Sequence, residues 1–353
     1  MNAIVGAGYA AAPALAARYS AQRAIALWLQ VCAGVVAGVL IVGGVTRLTH
    51  SGLSIVQWHP LSGILPPLSQ QDWAALFEQY RASPEYRVVN STMTLDGFKP
   101  IFWWEYAHRV LGRVAGLVFL LPFLGFLAAG RIARPLAGRL ALIFVLGALQ
   151  GALGWYMVAS GLVDDPRVSP LRLGAHLGMA LLLIGLLLWT SWSVGSGHGR
   201  RGPVTVPARA AIAAVFLMAL SGALMAGTRA GLAYDTFPLM GGYVIPPDLL
   251  RLEPWSRNFL ENLALVHFLH RAMALIVLVA VVNFWWQERR APWGRQFTTA
   301  RNGMVAALAL QIALGIATVL SAVAVPVAAA HQASAVLLYA CVLRSAFQSG
   351  TQR

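Results

Sequence analysis

The sequence predicts an all-α polytopic membrane protein, with eight transmembrane helices folded as two pseudo-symmetric four-helix bundles. Three observations lead there. The 353 residues are 58% hydrophobic and 11% charged, with mean hydropathy +0.68. A soluble chain of this length needs far more polar surface. Apolar runs of about 20 residues, enough to cross the hydrocarbon core as helix, recur along the chain. The motifs of the first four runs return, in order, in the last four.

The runs fall at 24–46, 101–125, 138–160, 172–194, 208–228, 260–285, 300–322 and 325–346. The first is too long for a signal-peptide core and reads as an uncleaved span. The chain divides into an N-terminal tail (1–23), an N-terminal half (24–195) with a long outer loop (47–100), a linker (196–207), a C-terminal half (208–346) and a C-terminal tail (347–353).

Charge sets the orientation. The net charge is +14, from 25 arginines and the single lysine Lys99 against 12 acids. Arg18, Arg23, Arg131, Arg134, Arg139, Arg200, Arg201, Arg209, Arg289, Arg290, Arg295 and Arg301 share one side with a single acid, Glu288. The positive-inside rule places that side, and both termini, in the cytoplasm of a cell inner membrane. A mitochondrial inner membrane is the weaker reading, because the N-terminal segment is short and serine-poor. Positive charge confined to short loops between apolar runs points to the lipid bilayer and not to nucleic acid.

In the outer loop, "SQQDWAALFEQY" opens with the capping-box pair Ser69 and Asp72 and spaces Trp73, Leu76, Phe77 and Tyr80 along one helical face. It predicts an amphipathic helix resting on the membrane surface. Trp103 and Trp104 suit an interfacial belt. Glycine-rich faces such as "GALQGALG" allow close packing, between helices or against a flat ring, and packing alone explains them. Cys32 and Cys341 lie inside apolar runs, so no disulfide and no cysteine metal site is expected.

The repeat is explicit. "GGVTRLTHSGLS" ends the first run and "LMAGTRAGLAYD" the fifth, and a Pro-Pro pair follows each, Pro66–Pro67 and Pro246–Pro247. "EYAHR" answers "HFLHR", and "LQGALGWYMVAS" answers "LQIALGIATVLS". Both halves start from the same side, which makes them parallel repeats about an axis along the membrane normal.

Of eight histidines, His50 and His59 lie in the first outer loop and His198 in a cytoplasmic one, while His108, His176, His267, His270 and His331 lie in or beside the runs. A lone histidine in a membrane helix can be a hydrogen-bonded structural residue. These form a pattern instead. At ~1.5 Å per residue, His108, His176, His270 and His331 all sit in the outer third of the membrane, on helices running the same way. Each half offers two imidazoles at matched depth, an arrangement that grips a haem iron from both faces. Zinc lacks its third and fourth ligands. Arg47 and Arg229, which close the first and fifth runs, and Arg109 and Arg271, which follow two of the histidines, are candidate partners for haem propionates. Headgroup anchoring and helix packing are the alternatives for these arginines.

The halves differ at one place. Glu105 stands three residues before His108, where His267 stands before His270. The i, i+3 spacing puts each pair on one face. A carboxylate beside one iron site suits a proton acceptor in oxidation chemistry; a structural salt bridge is the alternative. One site then has a base and the other does not, the signature of one catalytic and one electron-transfer site.

At these residues the sequence resembles the haem A synthase family. "GGVTRLTHSGLSIVQWHPLSGILPPLS", "FWWEYAHRVLGR", "LVHFLHR" and "AGTRAGLAYDTFPLMGG" carry the likeness, in order, from about residue 24 onward. The branch is the proteobacterial and mitochondrial one, without the outer-loop cysteine pair. The resemblance implies an oxidoreductase that converts haem O to haem A, oxidising the methyl at ring position 8 to a formyl group by successive hydroxylations. It implies haem b iron at His270 and His331, with His267 in their surroundings, substrate haem O at His108 and His176, and an essential glutamate at Glu105. Haem O synthase upstream and assembly of cytochrome c oxidase downstream follow from the same resemblance. The electron partner stays unidentified, and a homo-oligomer stays open. The residues by themselves reach only a two-haem membrane protein with a carboxylate at one site. A dihaem b-type electron carrier and a haem transporter or chaperone are the rival readings.

Overall fold

The structure is a computed structural model that describes residues 3–58, 63–163, 165–196, 202–289 and 295–351. His59, His198, Arg200, Arg201 and Arg290 lie outside the described residues, as do the side chains of Arg18 and Arg295. In chain order the helices are α1 (Ala3–Leu48), α2 (Gln70–Arg81), α3 (Pro84–Val88), α4 (Leu95–Ala128), α5 (Arg134–Ala159), α6 (Pro170–Gly195), α7 (Val206–Thr228), α8 (Asn258–Glu261), α9 (Leu263–Glu288), α10 (Arg295–Leu320) and α11 (Val325–Thr351). Among the described residues, 8 helices are long and apolar enough to span a membrane, namely α1 from Tyr19, α4–α7, α9, α10 and α11.

The helices start where sequence chemistry allows. Ser69, Ser83, Thr94, Ser169, Thr205 and Asn262 cap α2, α3, α4, α6, α7 and α9 with side-chain oxygens, and proline opens α5, α6 and α7. Several helices run past their apolar stretches. Thr94 starts α4 on polar turns that carry the Lys99–Asp96 ion pair, 2.8 Å. Residues 347–351, expected as a tail, continue α11, where Phe347 and Ser349 are buried.

Each half packs in the same way. In the N-terminal half α1 lies against α4 and α6, and α5 against α6; in the C-terminal half α7 lies against α9 and α11, and α10 against α11. The halves meet where α6 packs on α7, and where α1 and α6 pack on α11. Ile25, Leu29, Phe119, Phe123, Leu140, Ile143 and Leu187 fill one core, and Ile184, Val281, Phe284, Met304 and Val342 belong to the other. Leu117, Leu121, Leu275 and Val279 face outward, as a lipid-facing surface requires.

Two contacts join equivalent positions of the repeat. Arg47 donates to the carbonyl oxygen of Ala226, and Arg229 bonds His50 Nδ1 at 3.4 Å; both pairs are 179 residues apart. Gly43 and Gly222 share that register, as do Trp58 and Phe237. The arginines of "TRL" and "TRA" are therefore not counterparts. Arg229 corresponds to His50, and both take left-handed backbone, φ 60° and 54°, where the chain turns off its helix.

The amphipathic helix expected at 69–80 is α2, with its capping box formed. Its apolar face does not lie on lipid alone. Trp73 packs edge-on against Phe102 at 5.0 Å between ring centroids, and Tyr80 stacks on Phe98 at 5.1 Å. The outward extension of α4 is what supplies this aromatic platform.

Candidate functional site

The four paired histidines stand on α4, α6, α9 and α11, and each ring edge faces a glycine of a neighbouring helix. A Cβ built on Gly43 of α1 would lie 2.7 Å from His108 Cε1, and one on Gly154 of α5 would lie 2.9 Å from His176 Cε1. In the C-terminal half, Gly222 of α7 gives 3.5 Å to His270 and Gly315 of α10 gives 3.0 Å to His331. The four contacts are two pairs of repeat equivalents. Gly154, in a glycine-rich face expected to pack against a helix or a flat ring, meets the His176 imidazole; three of the four glycines are tight enough to exclude even alanine without a shift of the imidazole.

Within each half the two imidazoles come within electrostatic range of each other, His108 with His176 and His270 with His331. Their hydrogen bonding differs between halves. His270 Nδ1 is bonded to Ser221 Oγ at 3.0 Å, and Gln311 approaches His331 Nε2 at 3.4 Å. In the N-terminal half Gln150, the counterpart of Gln311, donates instead to the His176 carbonyl at 3.1 Å. The Nδ1 atoms of His108, His176 and His331 are buried without a partner. Among the described residues no three of His, Cys, Asp and Glu gather into a metal-binding group. Two nitrogen donors per half, seated on glycines, fit a metal group that brings its own equatorial ligands; they do not complete a zinc shell.

Glu105 is 3% exposed and fully engaged. Its Oε2 accepts from Ser54 Oγ at 2.7 Å and from the Ile55 amide at 2.8 Å, while Arg109 reaches Oε1 at 2.7 Å. Arg109 also donates to the carbonyls of Ile55 at 2.7 Å and Gln57 at 2.9 Å and lies over the Trp58 ring. The carboxylate thus ties the first outer loop to α4 beside His108. In the C-terminal half Arg271 donates to the Thr236 carbonyl at 2.8 Å and lies over Phe237, the counterpart of Trp58. His267, fully buried, holds its own loop by Nδ1 donating to the Ala230 carbonyl at 3.0 Å, with its Nε2 left unpartnered.

Arg109 and Arg271, singled out as partners for propionates, are thus committed to outer-loop carbonyls. Arg47 and Arg229 stand together with His50 at the seam between the halves. Partial desolvation, then the charges of Arg229 and Arg47, hold the His50 imidazole below its ordinary value, so it accepts the bond from Arg229. The buried acid Glu85 and the donors Ser54, Ser221 and Gln311 went unnoticed in the sequence; only the near-identity of "LQGALG" and "LQIALG" hinted at the glutamine.

Residues 26–343 match the family of the cytochrome oxidase assembly protein. The chain belongs to that family. It is 50% identical over 333 residues to the heme A synthase of Nitrosospira multiformis, covering 92% of this chain and 93% of the relative. It is 46% identical over 326 residues to the heme A synthase of Nitrosomonas eutropha, covering 90% and 92%. With the heme A synthase of Parvibaculum lavamentivorans it shares 44% over 320 residues, again 90% and 92%. The paired histidines and Glu105 lie within the matched segment.

Proposed function

We propose that this cytochrome oxidase assembly protein is a haem A synthase, an oxidoreductase that converts haem O to haem A. The names of its relatives support the product. The finer chemistry proposed is oxidation of the ring-position-8 methyl to a formyl group, by successive hydroxylations through an alcohol. His108 and His176 would hold the substrate haem. His270 and His331 would hold haem b, which supplies one-electron redox chemistry when bound.

The asymmetry between the halves carries this assignment. His270 Nδ1 is braced by Ser221; an imidazole held at its other ring nitrogen suits a permanent ligand. His108 has no such brace at Nδ1, but has Glu105 one turn away. A substrate must enter and leave, so weaker support at His108 than at its counterpart His270 fits exchange. Glu105 would take the proton lost from the substrate carbon, and Arg109 would hold the carboxylate in place. Ser54 and Ile55 would keep the first outer loop closed over the pair and limit water. Arg47 and Arg229, set at the seam between both histidine pairs, would meet propionates. His267 would brace the loop after α7 instead of acting in chemistry.

The one-sided arginines support an inner-membrane protein with cytoplasmic termini. Haem O synthase would supply substrate, and cytochrome c oxidase assembly would take the product. Acid-acetone extraction from protein made in a host that produces haem O, followed by chromatography and mass spectrometry, tests the reading. Haem b together with haem O, its hydroxylated form or haem A is the expected result. Haem b alone at two per chain would make this an electron carrier.

A further inference from the structure

Gln150 is a polar side chain in the apolar stretch of α5, and the proposed chemistry does not use it. It stands four residues before Gly154, so the two share one helical face, and that face meets His176. Gly154 seats the imidazole edge, and Gln150 Nε2 donates to the His176 carbonyl at 3.1 Å. A carbonyl oxygen only accepts, so the bond fixes which end of the amide is which. Oε1 is the other end. It is buried and has no partner among the described residues. An amide oxygen left so in hydrocarbon is costly, and polar groups at such depth mark function.

The C-terminal half satisfies the same atom. Gln311, the counterpart of Gln150, stands four residues before Gly315, which seats His331. Its Oε1 accepts from Ser334 Oγ. Ser334 lies three residues after His331 and is 4% exposed. Three residues after His176 stands Met179, which packs against the core of the N-terminal half. Methionine has no hydroxyl to donate. One glutamine oxygen is capped by the protein, and its repeat equivalent is left open.

Depth decides what meets that oxygen. α5 rises toward the outer side, so Gln150 lies one turn, about 6 Å, further from the outer surface than Gly154. Glu105 lies one turn the other way from His108. A haem with its propionates at Arg47 and Arg229 turns its opposite edge inward, toward the level of Gln150. On that edge, at ring position 2, haem O carries a hydroxyl on the first carbon of a long apolar chain, where haem b carries a vinyl group. The ring-position-8 methyl neighbours a propionate and stays on the outer side with Glu105.

We propose that Gln150 is a specificity-determining residue, whose Oε1 accepts a hydrogen bond from the ring-position-2 hydroxyl of haem O. This rests on the reading that His108 and His176 hold haem O. No covalent bond is made or broken. A haem with a vinyl group there leaves the oxygen unpartnered, and a buried acceptor without its donor is what makes such a site discriminate. At the C-terminal pair Ser334 removes that demand, which suits a haem without the hydroxyl.

Titration of the full-length protein with haem O and with haem b, followed by Soret absorption, tests this without turnover. The protein is made in a host that produces no haem O, and His176→Ala identifies the signal of the N-terminal pair. In Gln150→Leu, haem O should bind about tenfold more weakly, and haem b should bind no worse than to the parent. Equal weakening of both haems would make Gln150 a packing residue, and unchanged haem O binding would remove the contact; either overturns the proposal. Should Gln150→Leu fail to fold, Met179→Ser decides. A serine there would give Gln150 the donor that Ser334 gives Gln311, so haem O should bind more weakly while haem b is spared. Unchanged discrimination between the two haems sinks the proposal. A parent whose N-terminal pair takes up no haem O removes the reading of that pair and this proposal with it; a parent that takes up haem O beside an indifferent Gln150→Leu sinks Gln150 alone.

Discussion

His331 and Gly315 fit each other: a Cβ on Gly315 would lie 3.0 Å from the imidazole Cε1. The same fit recurs at Gly154 and His176, and at Gly43 and His108. The glycines let flat rings sit flush against a neighbouring helix at the depth where a haem would be held.

Alanine at these glycines should therefore displace haem, not unfold the helices. Alanine favours a helix interior by about 1 kcal/mol over glycine, so folding is not the weak point. Gly43→Ala and Gly154→Ala should cut bound haem O and product, Gly315→Ala should cut haem b, and Gly222→Ala, with 3.5 Å of room, should stay near the parent. Extracted haem per protein measures this. Equal content in all four would sever the link between glycine and ring.

Glu105→Gln should keep haem b and lose haem A. Removing one partner of a buried ion pair costs about 3–5 kcal/mol locally, here at Arg109 and the first outer loop. Limited proteolysis should register a looser loop between residues 51 and 58. A variant that makes haem A at the parent rate would leave Glu105 as a structural tie only.

Asn262→Ala should loosen the second outer segment. The Asn262 side chain caps α9 by accepting from the amides of Ala264 at 3.0 Å and Leu265 at 3.3 Å, and donates to the carbonyls of Asp248 at 2.7 Å and Leu249 at 3.1 Å. Loss of the cap alone costs about 1 kcal/mol, and the carbonyls of Asp248 and Leu249 lose a donor. Faster cleavage between residues 236 and 257, with haem b retained, is the expected result.

Outer-loop stability should fall as pH rises. Glu85 has its folded value raised from 4.5 to about 7, so the unfolded chain ionises first. The stability present below the unfolded value is lost as pH climbs through the folded one, by at most about 3 kcal/mol. Proteolysis of the segment holding α2 and α3 should be faster at about pH 8 than at about pH 5, and Glu85→Gln should abolish the difference.

Much of the fold was legible because hydrocarbon imposes it. Spans, caps and the order of motifs follow from length, hydropathy and local hydrogen bonding. The repeat register was obscured because "TR" occurs in both motifs three residues out of phase; the contacts of Arg47 with Ala226 and of His50 with Arg229, with Gly43 and Gly222 seated on equivalent histidines, fix it. The length of α4 was hidden by its polar first turns, which carry no hydropathy signal but serve as the platform for α2. Arg109 and Arg271 read as propionate partners or helix-packing residues in one dimension; their carbonyl partners lie 32 to 54 residues away in sequence. Glu85 drew no notice, since burial beside Tyr80 leaves no local mark in the sequence.

Extraction of haem from His176→Ala and His331→Ala, beside the parent, tests the division of labour most directly. His331→Ala should lose haem b, and His176→Ala should keep haem b while losing haem O, its hydroxylated form and haem A. The reverse pattern, with haem b lost from His176→Ala and retained in His331→Ala, would contradict the assignment of the two halves.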